Sequence, residues 1–561
     1  MNDIKTNFEN MHPDPTFERP DWQSLCGKWE FEFAPGESLP EGKREINVPF
    51  SYETDYSGVG IEKPATEVRY CRDFEVKPFS GSVLMHFAAV DYRCEVWINE
   101  TYAGGHVGGY TSFYFDVTKL VRVGVNRVRV VAYDSLSKAQ LRGKQRALEQ
   151  SYECWYVQTT GIWQDVWLEY AGANYVESLS IAPEEDGNVR FSVKTSLLSQ
   201  KVSALVRLNG KTVATADCVS ENGVADFCVN VGSPALWSDQ SPTLYRVEIA
   251  SEDDVVFSYF GIRSLSAQNG KVLVNGEQTY LKMVLEQGYW RGSGMTAPGK
   301  EALYREVELI KSLGFNGVRM HQKTECASFY YFCDLLGLYV WGEMPSNYED
   351  SLEAQAEMLR DCPLIIKQLS SHPSIIAWVI FNESWGVPHV RNDADTQRYV
   401  EKVCEKAREA DGTRFIISND GWHILDGDLT TLHEYNQNAR AFASDYADKD
   451  AVVGNRLIIN TFGYAFADGY AYRGQPVIIS EFGGIAIDES EGWGYGDKAR
   501  DKQAFFTRLK AIFEAIYSID YLAGFCYTQI TDVEQETNGL CYADRTPKID
   551  AKKIRSVVRG K

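Results

Sequence analysis

Three hydrophobic rhythms follow one another along the chain. From about residue 20 to 170, short stretches alternate apolar and polar positions, as in KWEFEF (28–33), SVLMHF (82–87), CEVWI (94–98) and RVRVVA (127–132). A period of two puts every second side chain on one face, so these stretches predict the strands of a β-sandwich or jelly roll. GGHVGG at 104–109 is too glycine-rich for a strand interior and is predicted as a loop. It lacks the spacing and the following helix of a dinucleotide fingerprint. From 171 to about 263 the alternation resumes, in VRFSVK (189–194) and ALVRL (204–208), with turn signals such as Asn209-Gly210. Roughly 90 residues of short strands fit an immunoglobulin-like sandwich.

Beyond residue 265 the period changes. The stretch 501–519 sets Phe505, Phe506, Leu509, Ile512, Phe513 and Ile516 on one face of a helix, and such patterns alternate with short apolar runs. The runs are 280–284, 315–319, 339–343, 375–381, 414–418, 430–434, 476–480 and 523–527. Eight β-runs interleaved with helical patterns predict a (β/α)8 barrel, whose active site lies at the carboxyl ends of the strands. The predicted organisation is therefore a jelly roll over 1–172, an immunoglobulin-like sandwich over 173–264 and a TIM barrel over 265–561.

Candidate chemistry falls at those strand ends. WVIFNESW (378–385) runs buried-strand residues straight into Asn382, Glu383 and Trp385, and PVIISEFGG (476–484) carries strand 7 into Glu481. Carboxylates are rarely buried without a partner, so two of them at the tips of strands 4 and 7 face one another across the mouth for a reason. A pair at about 5–5.5 Å is the geometry of a retaining glycosidase. Glu481 is expected as the nucleophile, kept charged by Arg319 at the tip of strand 2, and Glu383 as the acid/base, with a pKa raised by apolar surroundings and by its negative neighbour. Asn382 is expected to hydrogen-bond the sugar 2-hydroxyl. At the end of strand 6, Tyr435 and His433 are candidates to orient Glu481, and Trp385 and Trp422 to stack on sugar. Trp290, Trp341 and Trp493 stand at or just after strand ends, open to stacking or packing. Glu343 and Asp420 are candidate hydroxyl contacts, while Glu286, Glu434 and Glu536 are either structural or substrate-binding.

These motifs, in this order, resemble glycoside hydrolase family 2, the family of β-galactosidases, β-glucuronidases and β-mannosidases. The likeness extends to 20–29 (PDWQSLCGKW), 109–113 (GYTSF), 161–164 (GIWQ), 260–263 (FGIR), 316–319 (NGVR) and 336–345 (LGLYVWGEMP). It implies Glu383 as acid/base, Glu481 as nucleophile, and Tyr527 in the place of the family's strand 8 aromatic. Where the family usually carries Ser-His after the strand 2 arginine, this chain has His321 and Gln322. Where β-glucuronidases carry an Asn-x-Lys triplet that grips the sugar carboxylate, it has Glu536-Thr-Asn538. A glutamate there would repel a uronic acid, so the resemblance implies β-galactosides first. β-Mannosides, α-L-arabinosides, β-glucuronides and a carbohydrate-binding homologue without turnover are the alternatives.

Composition narrows the partners. A net charge of −21, from 57 Lys and Arg against 78 Asp and Glu, repels nucleic acid and anionic membranes. The chain opens without an apolar leader and no run reaches the length of a membrane span, which predicts a cytoplasmic protein. Twelve scattered cysteines without metal-site spacing read as reduced thiols. No metal or cofactor is expected, carbohydrate is the expected partner, and the sequence leaves homo-oligomerisation open.

Overall fold

The computed structural model describes residues 8–489 and 491–560. Its first part is a two-sheet antiparallel sandwich. One sheet orders Trp22–Ser24, Val166–Ala171, Ser82–Phe87 and Phe113–Asp116, and the other orders Arg44–Val48, Gly27–Phe33, Glu67–Val76, Gly124–Tyr133, Arg93–Ile98 and Thr101–Val107. The inward residues of the alternating pattern, among them Phe31, Ile46, Tyr70, Val96 and Val130, close the core. The glycine-rich stretch departs from expectation, because Gly104 and Gly105 lie within the edge strand Thr101–Val107, paired with Arg93–Ile98. A Cβ on Gly104 would sit 2.3 Å from the Phe115 ring, so glycine here allows close packing of the edge rather than a loop.

Seven strands between Val176 and Phe260 form the second sandwich, three in one sheet and four in the other, around Val193, Val202 and Ile249. Arg19 joins the two sandwiches: buried, it pairs with Glu169 of the first and Asp254 of the second.

Eight parallel strands form the third part: Leu281–Glu286, Gly317–Met320, Tyr339–Glu343, Ile375–Asn382, Phe415–Asp420, Thr430–Glu434, Val477–Gly483 and Leu522–Thr528, numbered 1 to 8 below. Strands 5 and 6 are joined only by the bridge Gly421–Leu432, which nearly closes the barrel. Met283, Trp341, Val379, Ile417, Ile478 and Cys526 fill the interior. Alternate residues such as Val284, Ile380, Phe482 and Tyr527 pack outward on the helices. The helix Lys502–Tyr517 begins where Asp501 accepts a hydrogen bond from the Ala504 amide, and it buries Phe505, Leu509, Ile512, Phe513 and Ile516 as its periodicity predicts, while Phe506 packs on the same core only half-buried.

The 27 residues between Tyr133 and Gly161 form no regular strand or helix, yet residues 139–146 are almost wholly buried. They cross from the jelly roll onto the barrel's carboxyl-terminal face. The amides of Arg142 and Gly143 both donate to the Ser346 carbonyl at 3.0 Å, and the Tyr348 amide donates to Lys138 at 2.8 Å. Among the described residues, no helix is long and apolar enough to cross a membrane.

Candidate active site

Strand 2 ends by burying Arg319 at the centre of the barrel mouth, where its guanidinium organises the tips of strands 3, 4, 5 and 7. Nε and Nη2 donate to Glu343 at 2.7 and 3.2 Å, Nη1 donates to Glu481 at 2.8 Å, and Nη2 donates to Asn382 Oδ1 at 2.7 Å. Asp420 lies 2.7 Å from Nη1. Burial disfavours the charge, but Asp420, Glu343 and Glu481 outweigh it and hold the guanidinium well above its usual range. Glu343 and Asp420, candidates for hydroxyl contacts, are thus spent on the arginine. Burial pushes Glu343 up to about 8 against that cation, whereas for Asp420 the cations Arg319 and His433 overcome burial and lower the carboxyl.

Glu383 sits just past strand 4 with φ of 50°, a left-handed conformation uncommon for a glutamate. Neighbouring hydrogen bonds impose it: the Glu383 amide donates to Asp420 O at 2.8 Å and the Ser384 amide to Asn419 Oδ1 at 3.0 Å. The turn aims the carboxylate over the mouth, where one of its oxygens, one of Glu481's and a His433 nitrogen lie within 4.8 Å of one another. The two acids predicted from strands 4 and 7 therefore meet.

Between them stands His433, fully buried, with Nδ1 2.8 Å from Glu383 Oε1 and Nε2 3.2 Å from Asp420 and 3.5 Å from Glu481. Burial opposes its charge, but Glu481 and Asp420 win and push the imidazole up to about 10. The consequence reverses one expectation. Burial raises Glu383 as foreseen, yet the hydrogen bond and charge of His433 lower its carboxyl overall. His433 had been a candidate partner of Glu481, but its shortest contact is to Glu383.

Tyr435 takes the place expected of it, donating its phenol to Glu481 Oε2 while its ring stacks on Tyr495 at 3.4 Å and 6°. Trp385 meets Trp155 and Tyr348 edge-on at 5.3 Å each, and Trp422 stacks on Phe462 at 4.8 Å with its edge toward His433. Tyr527 is not at the mouth. It is fully buried on the outer face of strand 8 against Phe482 and Phe513, because the strand's alternation turns Cys526 inward and Tyr527 toward the helices. Trp341 is barrel core, Trp290 lies under the Arg545 guanidinium at 3.4 Å, and the Trp493 indole donates to Glu153 O. Glu286 and Glu434 are structural, bonding the amides of Gly288 and Asn436. Glu536 is buried at the mouth, accepting from Tyr156 at 2.5 Å and Asn538 at 2.9 Å; burial raises its carboxyl despite these bonds and the charge of Lys144.

Sequence reasoning missed the contribution of the first sandwich. Lys144, Cys154, Trp155 and Tyr156 reach the mouth from the 134–160 segment. The signal was its length, since 27 residues without a strand or helix pattern inside a compact domain mark a functional loop.

Comparison with known proteins agrees with this architecture. Residues 23–171 match the sugar binding domain of glycosyl hydrolases family 2, residues 174–263 match a second domain described as glycosyl hydrolases family 2, and residues 265–560 match the family's TIM barrel domain. A putative β-glucuronidase of Formosa agariphila is 28% identical over 61% of this chain and 43% of its own, and a β-galactosidase of Lactococcus lactis is 25% identical over 68% and 42%. The chain thus spans less than half the length of these two relatives, whereas a β-glucuronidase of Paenibacillus borealis, 23% identical, is matched over 97% of this chain and 98% of its own. In fold, the chain superposes on a β-galacturonidase of Eisenbergiella tayi bound to galacturonate with a TM-score of 0.79, at 19% identity, covering 97% of this chain and 98% of the other. A β-glucuronidase of Bifidobacterium dentium gives 0.81, also at 19% identity and with the same coverage. With all three domains matched in order across nearly the whole length, the chain belongs to glycoside hydrolase family 2.

Proposed function

We propose that this family 2 chain is an exo-acting, retaining O-glycosyl hydrolase that removes terminal non-reducing sugars by double displacement. The observation that carries the reading is that one oxygen each of Glu383 and Glu481 lie within 4.8 Å of one another, which fits the ~5–5.5 Å pair of a retaining enzyme better than the ~6.5–9.5 Å spacing of an inverting one. Glu481 attacks the anomeric carbon, held by Arg319 and Tyr435. Glu383 and His433 hold one proton between them, with the imidazolium as the resting form. Its transfer along the 2.8 Å hydrogen bond gives the carboxylic acid that protonates the leaving oxygen. In the second half Glu383 takes a proton from water, which attacks the glycosyl ester. Asn382, with Oδ1 taken by Arg319, keeps its amide nitrogen to donate to the sugar 2-hydroxyl.

For the sugar, β-galactosides are one reading, favoured by the negative charge of an ionised Glu536 and by relatives named β-galactosidase. β-Uronides are the second reading, favoured by relatives of that type and by Lys144 beside Glu536. Nitrophenyl glycosides, followed by NMR of the first product, test the mechanism: the anomer should be retained, Glu481→Gln should abolish turnover, and azide should rescue Glu383→Ala. An inverted first product overturns it, as does sugar binding with no hydrolysis by the wild type.

A further inference from the structure

Seven lysines and arginines have buried side chains among the described residues, and six of them face a carboxylate: Arg19, Arg142, Arg146, Arg319, Lys323 and Lys548. Lys144 is the seventh, and among the described residues its ammonium forms no ion pair. A buried ammonium without a counter-ion is costly, and it persists where the fold enforces it. Here the fold does so. Gly143, just before it, has φ of 57°, and a Cβ there would stand 2.1 Å from the Gln322 carbonyl. The Gly143 carbonyl accepts from the Tyr348 phenol at 2.6 Å, and the Lys144 carbonyl accepts from the Tyr156 amide at 2.9 Å. The jelly-roll strap is thereby fixed on the barrel, with Lys144 between the Trp155 ring, 5.7 Å from its Nζ, and the thiol of Cys154.

These neighbours do not supply the missing charge. Burial raises the Cys154 thiol and the Tyr348 phenol, so both stay protonated. Glu536 and Glu383 act on the ammonium's field without reaching ion-pair distance, and Glu536 is itself raised by burial. The barrel mouth near Glu383 thus carries a buried positive charge set beside an aromatic ring.

We infer that Lys144, delivered by the jelly-roll strap, is the receptor for an anionic substituent on the substrate's terminal sugar, a carboxylate as in a hexuronoside, and so determines specificity in place of a barrel lysine. The inference rests on the exo-glycosidase reading above and, for the sugar, on its β-uronide branch, and it assigns to the first domain a role in choosing the sugar.

The test compares nitrophenyl β-D-galacturonide and β-D-glucuronide with the matching β-D-galactoside on the wild type, Lys144→Met and Lys144→Arg. Losing one partner of a buried charged contact should lower the uronide-to-galactoside ratio of kcat/KM at least ~100-fold in Lys144→Met, chiefly through KM, with partial recovery in Lys144→Arg. Equal losses on all three substrates would make Lys144 a structural or pKa-setting group and overturn the inference. So would a galactoside preference in the wild type that Lys144→Met leaves in place. Calorimetric titration of the Glu481→Gln protein with free D-galacturonate and D-galactose needs no turnover: galacturonate should bind more tightly, and equal or absent binding refutes the anion site. Hydrolysis that survives Glu481→Gln counts instead against the two-glutamate mechanism, so the two failures are distinguishable.

Discussion

The phenol of Tyr435 offers the cleanest single-atom probe of the site. Burial first, and then the charge of Glu481, hold it well above its ordinary pKa, so it stays protonated and donates to Oε2. Tyr435→Phe removes that oxygen, together with its 3.0 Å contact to the Thr528 hydroxyl, while the ring remains stacked on Tyr495. A hydrogen bond to a charged group is worth about 1.5–3 kcal/mol, which at 1.36 kcal/mol per decade is roughly a 10- to 150-fold effect. The sign depends on the step. Without the donor, the Glu481 carboxylate is a better nucleophile but a poorer leaving group, so breakdown of the glycosyl ester slows while its formation does not. A dinitrophenyl glycoside, whose departure needs no acid, should therefore show a pre-steady-state burst, a kcat reduced by that factor and a KM reduced with it, so that kcat/KM changes little. Stopped-flow release of the phenolate reads all three. A fall in kcat/KM with no burst and an unchanged KM would refute the reasoning, since it would place the phenol's contribution in the first step.

Other perturbations follow from the same contacts. Because His433 stays protonated up to about 10 and shares one proton with Glu383, the alkaline limb of kcat/KM should stand high in the wild type. His433→Asn should bring it down into the range of a buried carboxyl, and a limb that stays put excludes the sharing. Arg319→Met leaves Glu343, Asp420 and Glu481 buried without their cation, so denaturant unfolding should report a loss of about 3–5 kcal/mol. A loss under ~1 kcal/mol would contradict that role. Burial raises Glu53 to about 8. The folded chain then keeps a proton that the unfolded chain releases near the group's ordinary value of 4.5, so this group lowers stability as pH rises between those values. Glu53→Gln should gain stability over the wild type more at about pH 9 than at about pH 5, and a pH-independent difference would count against the assignment.

The residues show why some of this was legible in one dimension and some was not. Strand tips were readable because a buried strand is a continuous apolar run and its end is a change of polarity; Glu383 and Glu481 stand at two such changes. Arg319 and Tyr435 were found the same way. Tyr527 was misplaced because the resemblance put it in a substrate-site role while the alternation of strand 8 turns it outward. Glu383's pKa was expected to move up because burial was foreseen and the imidazolium beside it was not. The glycine-rich 104–109 segment misled because composition favours a loop, whereas packing against Phe115 selects glycine within a strand.

Periodicity, turn residues and strand-end chemistry are local properties, and they determined three domains' worth of elements, the barrel and its two acids from the sequence alone. Which side chains share a charge is a property of distance across the fold. That Arg319 serves three carboxylates, that His433 lies between Glu383 and Glu481, and that a lysine some 240 positions from Glu383 acts on its charge were decided by the tertiary structure, the last of them by the jelly-roll strap lying on the barrel mouth.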